Sequence, residues 1–195
     1  LGEILTEKGG ILNMGVEGIM VVGALVGFLT ALHTGSPLLA FAAGGLAGAC
    51  MAALHGIVCI VFLGNQVVSG LALTIFGTGL SGFFATPYIG RTAPGFDKFS
   101  LPLLGDIPVL GTVFFQQDAL VYFSYLIPPL LWAFFRYTRW GLAVRAAGES
   151  PSAMRAAGLN VPGFRWAALV CGGVLVGFGG SYLSLAYTHL WTNGL

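Results

Sequence analysis

Apolar residues dominate the chain in long runs that polar punctuation divides into five segments of about spanning length: 15–33, 38–63, 67–88, 119–137 and 166–190. A helix needs about 20 apolar residues to cross the hydrocarbon of a bilayer. An isolated strand in lipid would leave its backbone groups unpaired, so all five segments are predicted to be helices. The expected fold class is therefore all-α, a polytopic transmembrane helical bundle with about five spanning helices in a single unit over residues 1–195. Pro128 and Pro129 fall inside the fourth segment and are expected to kink it, because each ring removes a backbone donor and crowds the preceding turn.

The basic residues set an orientation. Five of the eight lie in one stretch, Arg136, Arg139, Arg145, Arg155 and Arg165, which predicts a cytoplasmic connection over 138–165. Counting back, residues 89–118 form an external segment, 64–66 an internal turn, 34–37 an external turn, and the leading residues with Lys8 are internal. The external segment is long. It reads as Gly/Pro-punctuated turns around the apolar pieces 101–104 and 107–110, and a re-entrant piece and a plain folded loop both fit it.

Composition reinforces the membrane reading. Only 8% of residues are charged and 56% are hydrophobic, and the mean hydropathy is +0.89. A soluble domain carries about 25% charged residues. The net charge of +1 gives no electrostatic footprint for nucleic acid. Glycine is abundant, at 31 residues, and three segments carry glycines four apart: Gly23 with Gly27, Gly44 with Gly48, and Gly173 with Gly177. Such stripes predict close helix–helix packing. Cys50, Cys59 and Cys171 lie in apolar runs without metal-ligand spacing, so they are expected to be buried structural thiols. The chain begins and stops abruptly, as a fragment of a longer protein would.

Within the basic connection, Ser150 before Pro151 reads as a helix N-cap with proline at the first position, and Gly158 as the residue that ends the helix. A short alanine-rich helix over 151–157 is expected, shaped to dock into a groove on another protein.

This stretch resembles the coupling loop of ABC importer permeases. Three patches together resemble the permease family for branched-chain amino acids, simple sugars and nucleosides: residues 2–24 with the run Thr6-Glu7-Lys8-Gly9-Gly10-Ile11-Leu12-Asn13-Met14-Gly15-Val16-Glu17-Gly18, the run Asn65-Gln66-Val67-Val68-Ser69-Gly70-Leu71-Ala72-Leu73, and the 145–161 loop followed by the helix holding Gly172, Gly173, Gly177, Gly179 and Gly180. The first two look most like the nucleoside or simple-sugar subgroup. The resemblance implies an ABC importer permease in a bacterial cytoplasmic membrane. It further implies an ATP-binding partner subunit, a second permease subunit (identical or different), an extracytoplasmic substrate-binding lipoprotein, and further helices before Leu1 and after Leu195. In that frame Arg145, Gly148, Glu149, Ala153, Ala156 and Gly158 are the residues expected to couple to the ATPase, with motion passing to the fourth and fifth segments. No GxxxxGK[ST] loop occurs in the chain, so no cofactor is expected on it, and ATP with magnesium belongs to the partner.

Glu17 is the one carboxylate well inside a spanning segment, with Asn13 one turn before it. An intramembrane carboxylate marks either a substrate contact or a partner for exposed backbone where a helix begins. Asn13, Glu17, Ser69, Thr74 and Thr78 are the candidate substrate pathway, a neutral polar lining suited to a nucleoside or sugar; Ser81 joins them as a candidate, and hydroxyls are equally common as helix–helix contacts. Asn65 and Gln66 read as a cap. His33 and His189 sit at external helix ends, and His55 lies deeper as a packed neutral ring. Two other readings stand beside transport on ATP. An ion-coupled secondary transporter or channel would rely on Glu17. A rhomboid-like serine protease would use the Gly79-Leu80-Ser81-Gly82 motif with His55 or His189.

Overall fold

The computed structural model describes residues 1–96, 98–100, 116–187 and 191. Among the described residues, eight α-helices run in order: α1 (Gly2–Lys8), α2 (Val16–Thr34), α3 (Pro37–Gly56), α4 (Gln66–Ala85), α5 (Ala119–Tyr137), α6 (Arg139–Glu149), α7 (Pro151–Ala156) and α8 (Val161–Tyr182). A π-helical turn, Ile57–Val61, prolongs α3, and another, Leu183–Tyr187, prolongs α8; a 3-10 turn, Thr86–Tyr88, prolongs α4. Among the described residues, four helices are long and apolar enough to cross a membrane: 16–34, 37–61, 66–88 and 161–186. α5 occupies the fourth expected segment as one continuous helix of 19 residues through Pro128 and Pro129. The described fold is all-α apart from an antiparallel ribbon, β1 (Lys98–Ser100) with β2 (Gln116–Asp118), in register Lys98↔Asp118, Phe99↔Gln117 and Ser100↔Gln116. The apolar pieces 101–104 and 107–110, and His189, lie outside the described residues.

Helix ends follow local chemistry. Asn65 caps α4, its side-chain oxygen accepting from the amides of Val67 and Val68. Asn160 caps α8 by accepting from Gly163, so that helix starts five residues before the expected 166. α2 stops at Gly35, whose φ of +69° closes the last turn.

The core is the α2–α3–α8 triplet. Gly23 and Gly27 of α2, Gly44 and Gly48 of α3, and Gly173 and Gly177 of α8 meet across it. A Cβ on Gly23 would lie 2.9 Å from the Gly177 Cα, and one on Gly48 would lie 2.8 Å from the same atom. The backbones touch, which only hydrogen side chains permit. Ser181 and Ser184 of this region donate to the Gly23 and Ala24 carbonyls at 3.2 and 3.0 Å. Phe28, Ile19 and Leu169 fill the space between the contacts. α4 packs on α2 through Gly77 against Gly18, meets Met14 and Gly15 just before α2 through Gly70, and leaves its other face bare, with Ile75, Phe76 and Phe83 exposed.

Two of the three cysteines correct an expectation. Cys59 is buried, but Cys50 and Cys171 are exposed on the outer faces of α3 and α8. In hydrocarbon a lipid-facing position is as apolar as a core one, so an apolar neighbourhood does not separate the two.

Candidate functional site

Between α1 and α2 the chain leaves the helical state over residues 9–15 while staying largely buried, with Ile11 at 1% and Asn13 at 2% exposure. Irregular backbone at such a place needs partners for each amide and carbonyl. Carbonyls of α1 take the Gly9, Gly10 and Ile11 amides, and side chains from three helices serve the residues that follow. The Asn13 amide donates to the Glu3 carboxylate of α1 at 3.1 Å. The Leu12 amide donates to Gln66 Oε1 of α4 at 2.8 Å. His55 of α3 meets the Leu12 carbonyl with Nε2 at 3.2 Å and the Ser69 hydroxyl with Nδ1 at 3.0 Å. Thr74 donates to the Met14 carbonyl, and the Asn13 side-chain oxygen accepts from Gly15. The Asn13 side-chain nitrogen is buried without a partner among the described residues.

The five candidate pathway residues therefore divide. Asn13 and Ser69 are committed to this internal network. Thr74 and Thr78 lie on α4 beside its contact with α2, where Thr74 reaches the Met14 carbonyl, and Glu17 sits next to Gly18, which packs on the backbone of Leu73 and Thr74. Glu17 is exposed and makes no hydrogen bond or ion pair with a described residue. Thr78 is exposed and returns its hydroxyl to the Thr74 and Ile75 carbonyls. A Cβ added to Gly79 or Gly82 of α4 would meet nothing within 4 Å, so that helix face is open as well. A cavity of about 430 Å³ opens between α1, α2, α5 and α8, with Glu3, Ser124 and Tyr182 among a mostly apolar lining.

At the end of the bundle that holds residues 9–15 and the 62–65 turn, α6 and α7 form a compact unit. Thr138 caps α6, accepting from Gly141 at 2.9 Å. Met154 of α7 is buried against Ala147 and Val161, while Ala153, Arg155 and Ala156 are exposed. α7 ends in a Schellman arrangement, Leu159 N to Met154 O and Gly158 N to Arg155 O, with Gly158 at φ +75°. Ser150 stands at the N-cap of α7, but its side chain makes no capping bond. Arg145 and Glu149 approach to 3.7 Å on α6, an exposed pair worth on the order of 0.3 kcal/mol. Gly148 is pressed onto the backbone of residues 8–10, and the Arg165 guanidinium donates to the Ala147 carbonyl at 3.2 Å.

α1, α6 and the side-chain network around residues 9–15 were absent from the sequence expectation. The Thr138 cap and the polar residues spaced through 3–17 were the available signals. His55 is engaged with Ser69, and the buried Ser81 hydroxyl has no partner among the described residues, so His55 does not form the protease pair with Ser81. No group of three metal-ligating side chains occurs among the described residues.

Known proteins resemble this chain along its length. A Haloferax volcanii protein provisionally assigned as a glucose ABC transporter permease is 39% identical, covering 100% of this chain and 60% of the relative. The nucleoside ABC transporter permease of Lactococcus lactis is 33% identical, covering 95% of this chain and 62% of the relative. The guanosine ABC transporter permease of Bacillus subtilis is 32% identical, covering 100% of this chain and 66% of the relative. The chain thus spans less than two thirds of the length of these relatives. No solved structure matches it significantly. Residues 1–194 match the family described as branched-chain amino acid transport system / permease component, and with its spanning helices the chain belongs to that family of multi-pass membrane permeases.

Proposed function

We propose that this chain is the membrane-spanning core of an ABC importer permease for a small, neutral, polar solute, a nucleoside or a simple sugar, driven by ATP hydrolysed on a separate subunit. The observation that carries the reading is the family match over residues 1–194, in company with relatives named for glucose, nucleoside and guanosine transport. The chemistry of the α2–α4 flank suits such cargo. Thr74 and Thr78 offer hydroxyl groups, and Glu17 is the one exposed carboxylate on α2, with no cation placed beside it among the described residues. A solute rich in hydroxyls needs hydrogen bonds and no counter-charge.

The partners in this reading are an ATP-binding subunit on the α6–α7 face, a second permease subunit, identical or different, and an extracytoplasmic binding lipoprotein. The small side chains Ala153 and Ala156 and the Gly158 turn leave the outer side of α7 smooth enough to seat in a groove of the ATPase.

The test uses the full-length protein. Purification from its own membranes is expected to bring down an ATPase and a lipoprotein. Proteoliposomes of that complex are expected to take up labelled guanosine or glucose only with ATP inside. Uptake that follows a proton gradient without any ATPase, and is lost in Glu17→Gln, would replace this reading with that of an ion-coupled transporter.

A further inference from the structure

The non-helical connection over residues 9–15 touches the cytoplasmic unit directly. Gly148, in the last turn of α6, has no room for a side chain: a Cβ there would lie 2.5 Å from the Lys8 carbonyl oxygen and 2.9 Å from the Gly10 amide nitrogen. Gly10 answers from the other side. Its φ is +84°, and a Cβ on it would lie 2.8 Å from the Gly148 Cα. Arg165 braces the joint by bonding the Ala147 carbonyl, and its guanidinium lies 3.3 Å from the same Gly10 position.

The Gly10 and Ile11 amides are held by the Glu7 and Thr6 carbonyls of α1, and beyond them residues 12 and 13 are tied to the bundle by side chains. Gln66 holds the Leu12 amide, His55 the Leu12 carbonyl, and Glu3 the Asn13 amide. No helical ladder or strand pairing fixes residues 12 and 13, so they can shift by exchanging a few hydrogen bonds. The Asn13 nitrogen, without a partner among the described residues, is a buried donor that a shifted arrangement can satisfy. Two such arrangements close in free energy are what a switching element requires.

We infer that the Gly10–Gly148 contact is the joint through which movement of α6 and α7 reaches the interior, and that Gln66 and His55 are the positioning residues that transmit it to α3 and α4. This rests on the ATP-driven reading above. It adds to the expected passage of motion into the neighbouring helices a direct route to the Glu17 end of α2.

The experiment uses the complete permease assembled with its partner subunits in proteoliposomes. ATP hydrolysis and uptake are measured side by side, and hydrogen–deuterium exchange is followed over residues 8–15. In the wild type, exchange over 11–15 is expected to differ between the nucleotide-free and ATP-trapped states. In Gly148→Ala, uptake is expected to fall on the order of tenfold while hydrolysis stays within about twofold, and the nucleotide-dependent difference in exchange is expected to disappear. Gln66→Leu should behave likewise. Gln66→Glu keeps an acceptor oxygen for the Leu12 amide and should retain most of the uptake. If Gly148→Ala fails to assemble, the Gln66 pair and the wild-type exchange decide. Equal exchange in both states of the wild type overturns the inference, as does unchanged uptake in Gly148→Ala and Gln66→Leu. A wild type that is not driven by ATP removes the functional reading and this inference together; an ATP-driven wild type with indifferent variants removes only the inference.

Discussion

Gly177 of α8 rests against Gly48 of α3, close enough that a Cβ on Gly177 would lie 3.0 Å from the Gly48 Cα, with the Gly44 carbonyl nearer still. The third helix, α2, closes the triplet through Gly23, whose carbonyl accepts from Ser181. With lipid around it, this core gains little from burying apolar surface and depends on backbone contact and short interhelical hydrogen bonds, the latter worth on the order of 0.6 kcal/mol each.

Substituting the joint should therefore separate sharply from substituting a bare glycine. Gly177→Val is expected to abolish assembly, because the added carbons would have to displace backbone on α3. Gly79→Ala and Gly82→Ala meet nothing within 4 Å and should leave stability unchanged or raise it by about 0.5–1 kcal/mol through helix propensity. Thermal unfolding in detergent, followed by size-exclusion recovery, reads the difference.

His55 is expected to matter for stability before it matters for transport. His55→Leu leaves the Leu12 carbonyl and the Ser69 hydroxyl without their partner in the interior, at a cost of about 1–3 kcal/mol. His55→Gln should recover part of it. A stability ranking of wild type, Gln and Leu that does not fall in that order would count against the network.

Glu17 should show the reverse. It touches no described residue through a hydrogen bond or ion pair, so Glu17→Gln is expected to keep the melting temperature within about 2 °C of wild type, as an exposed change away from the packed core does. If the α2–α4 flank lines the solute path, uptake in that variant should drop or change its substrate preference, as should Thr78→Val. Unaltered uptake and preference in both would move the path elsewhere, with the cavity at Glu3 the next place to look.

Gly158 gives a prediction at the docking face. At φ +75° an alanine is strained by about 1 kcal/mol, and the Schellman bonds that end α7 would loosen. Gly158→Ala and the bulky Ala153→Trp are expected to keep insertion in the membrane while weakening recovery of the ATPase on purification. Full recovery of the ATPase with both would show that α7 is not its seat.

The spanning segments were legible because their length and apolar composition answer directly to the bilayer. The run from Gly15 became α2, and the run from Val67 became most of α4, within a residue at each start. The stop at Gly158 was equally legible, since a glycine after an alanine-rich turn is a local signal. α6 was not: its glycines, Gly141 and Gly148, read as loop residues, and only packing against the Phe134 carbonyl and the Lys8 carbonyl gives them a reason to sit in a helix. Cys50 and Cys171 failed as core residues for the same reason that the spans succeeded, because lipid rewards apolar side chains on both sides of a helix.

By itself, the sequence determined that the chain crosses a membrane, where its long apolar helices run, and which connection carries the basic charge, since each follows from transfer of side chains between water and hydrocarbon. Tertiary structure alone decided which polar groups are spent on holding the 9–15 connection and which stay open. Asn13 and Ser69 look as available as Glu17 and Thr78 along the chain. The approach of His55 from α3 commits Ser69, and the Asn13 side chain turns back to the Gly15 amide within a connection that Glu3, His55 and Gln66 hold from three separate helices, because a hydrogen bond depends on distance and direction that residue order does not set.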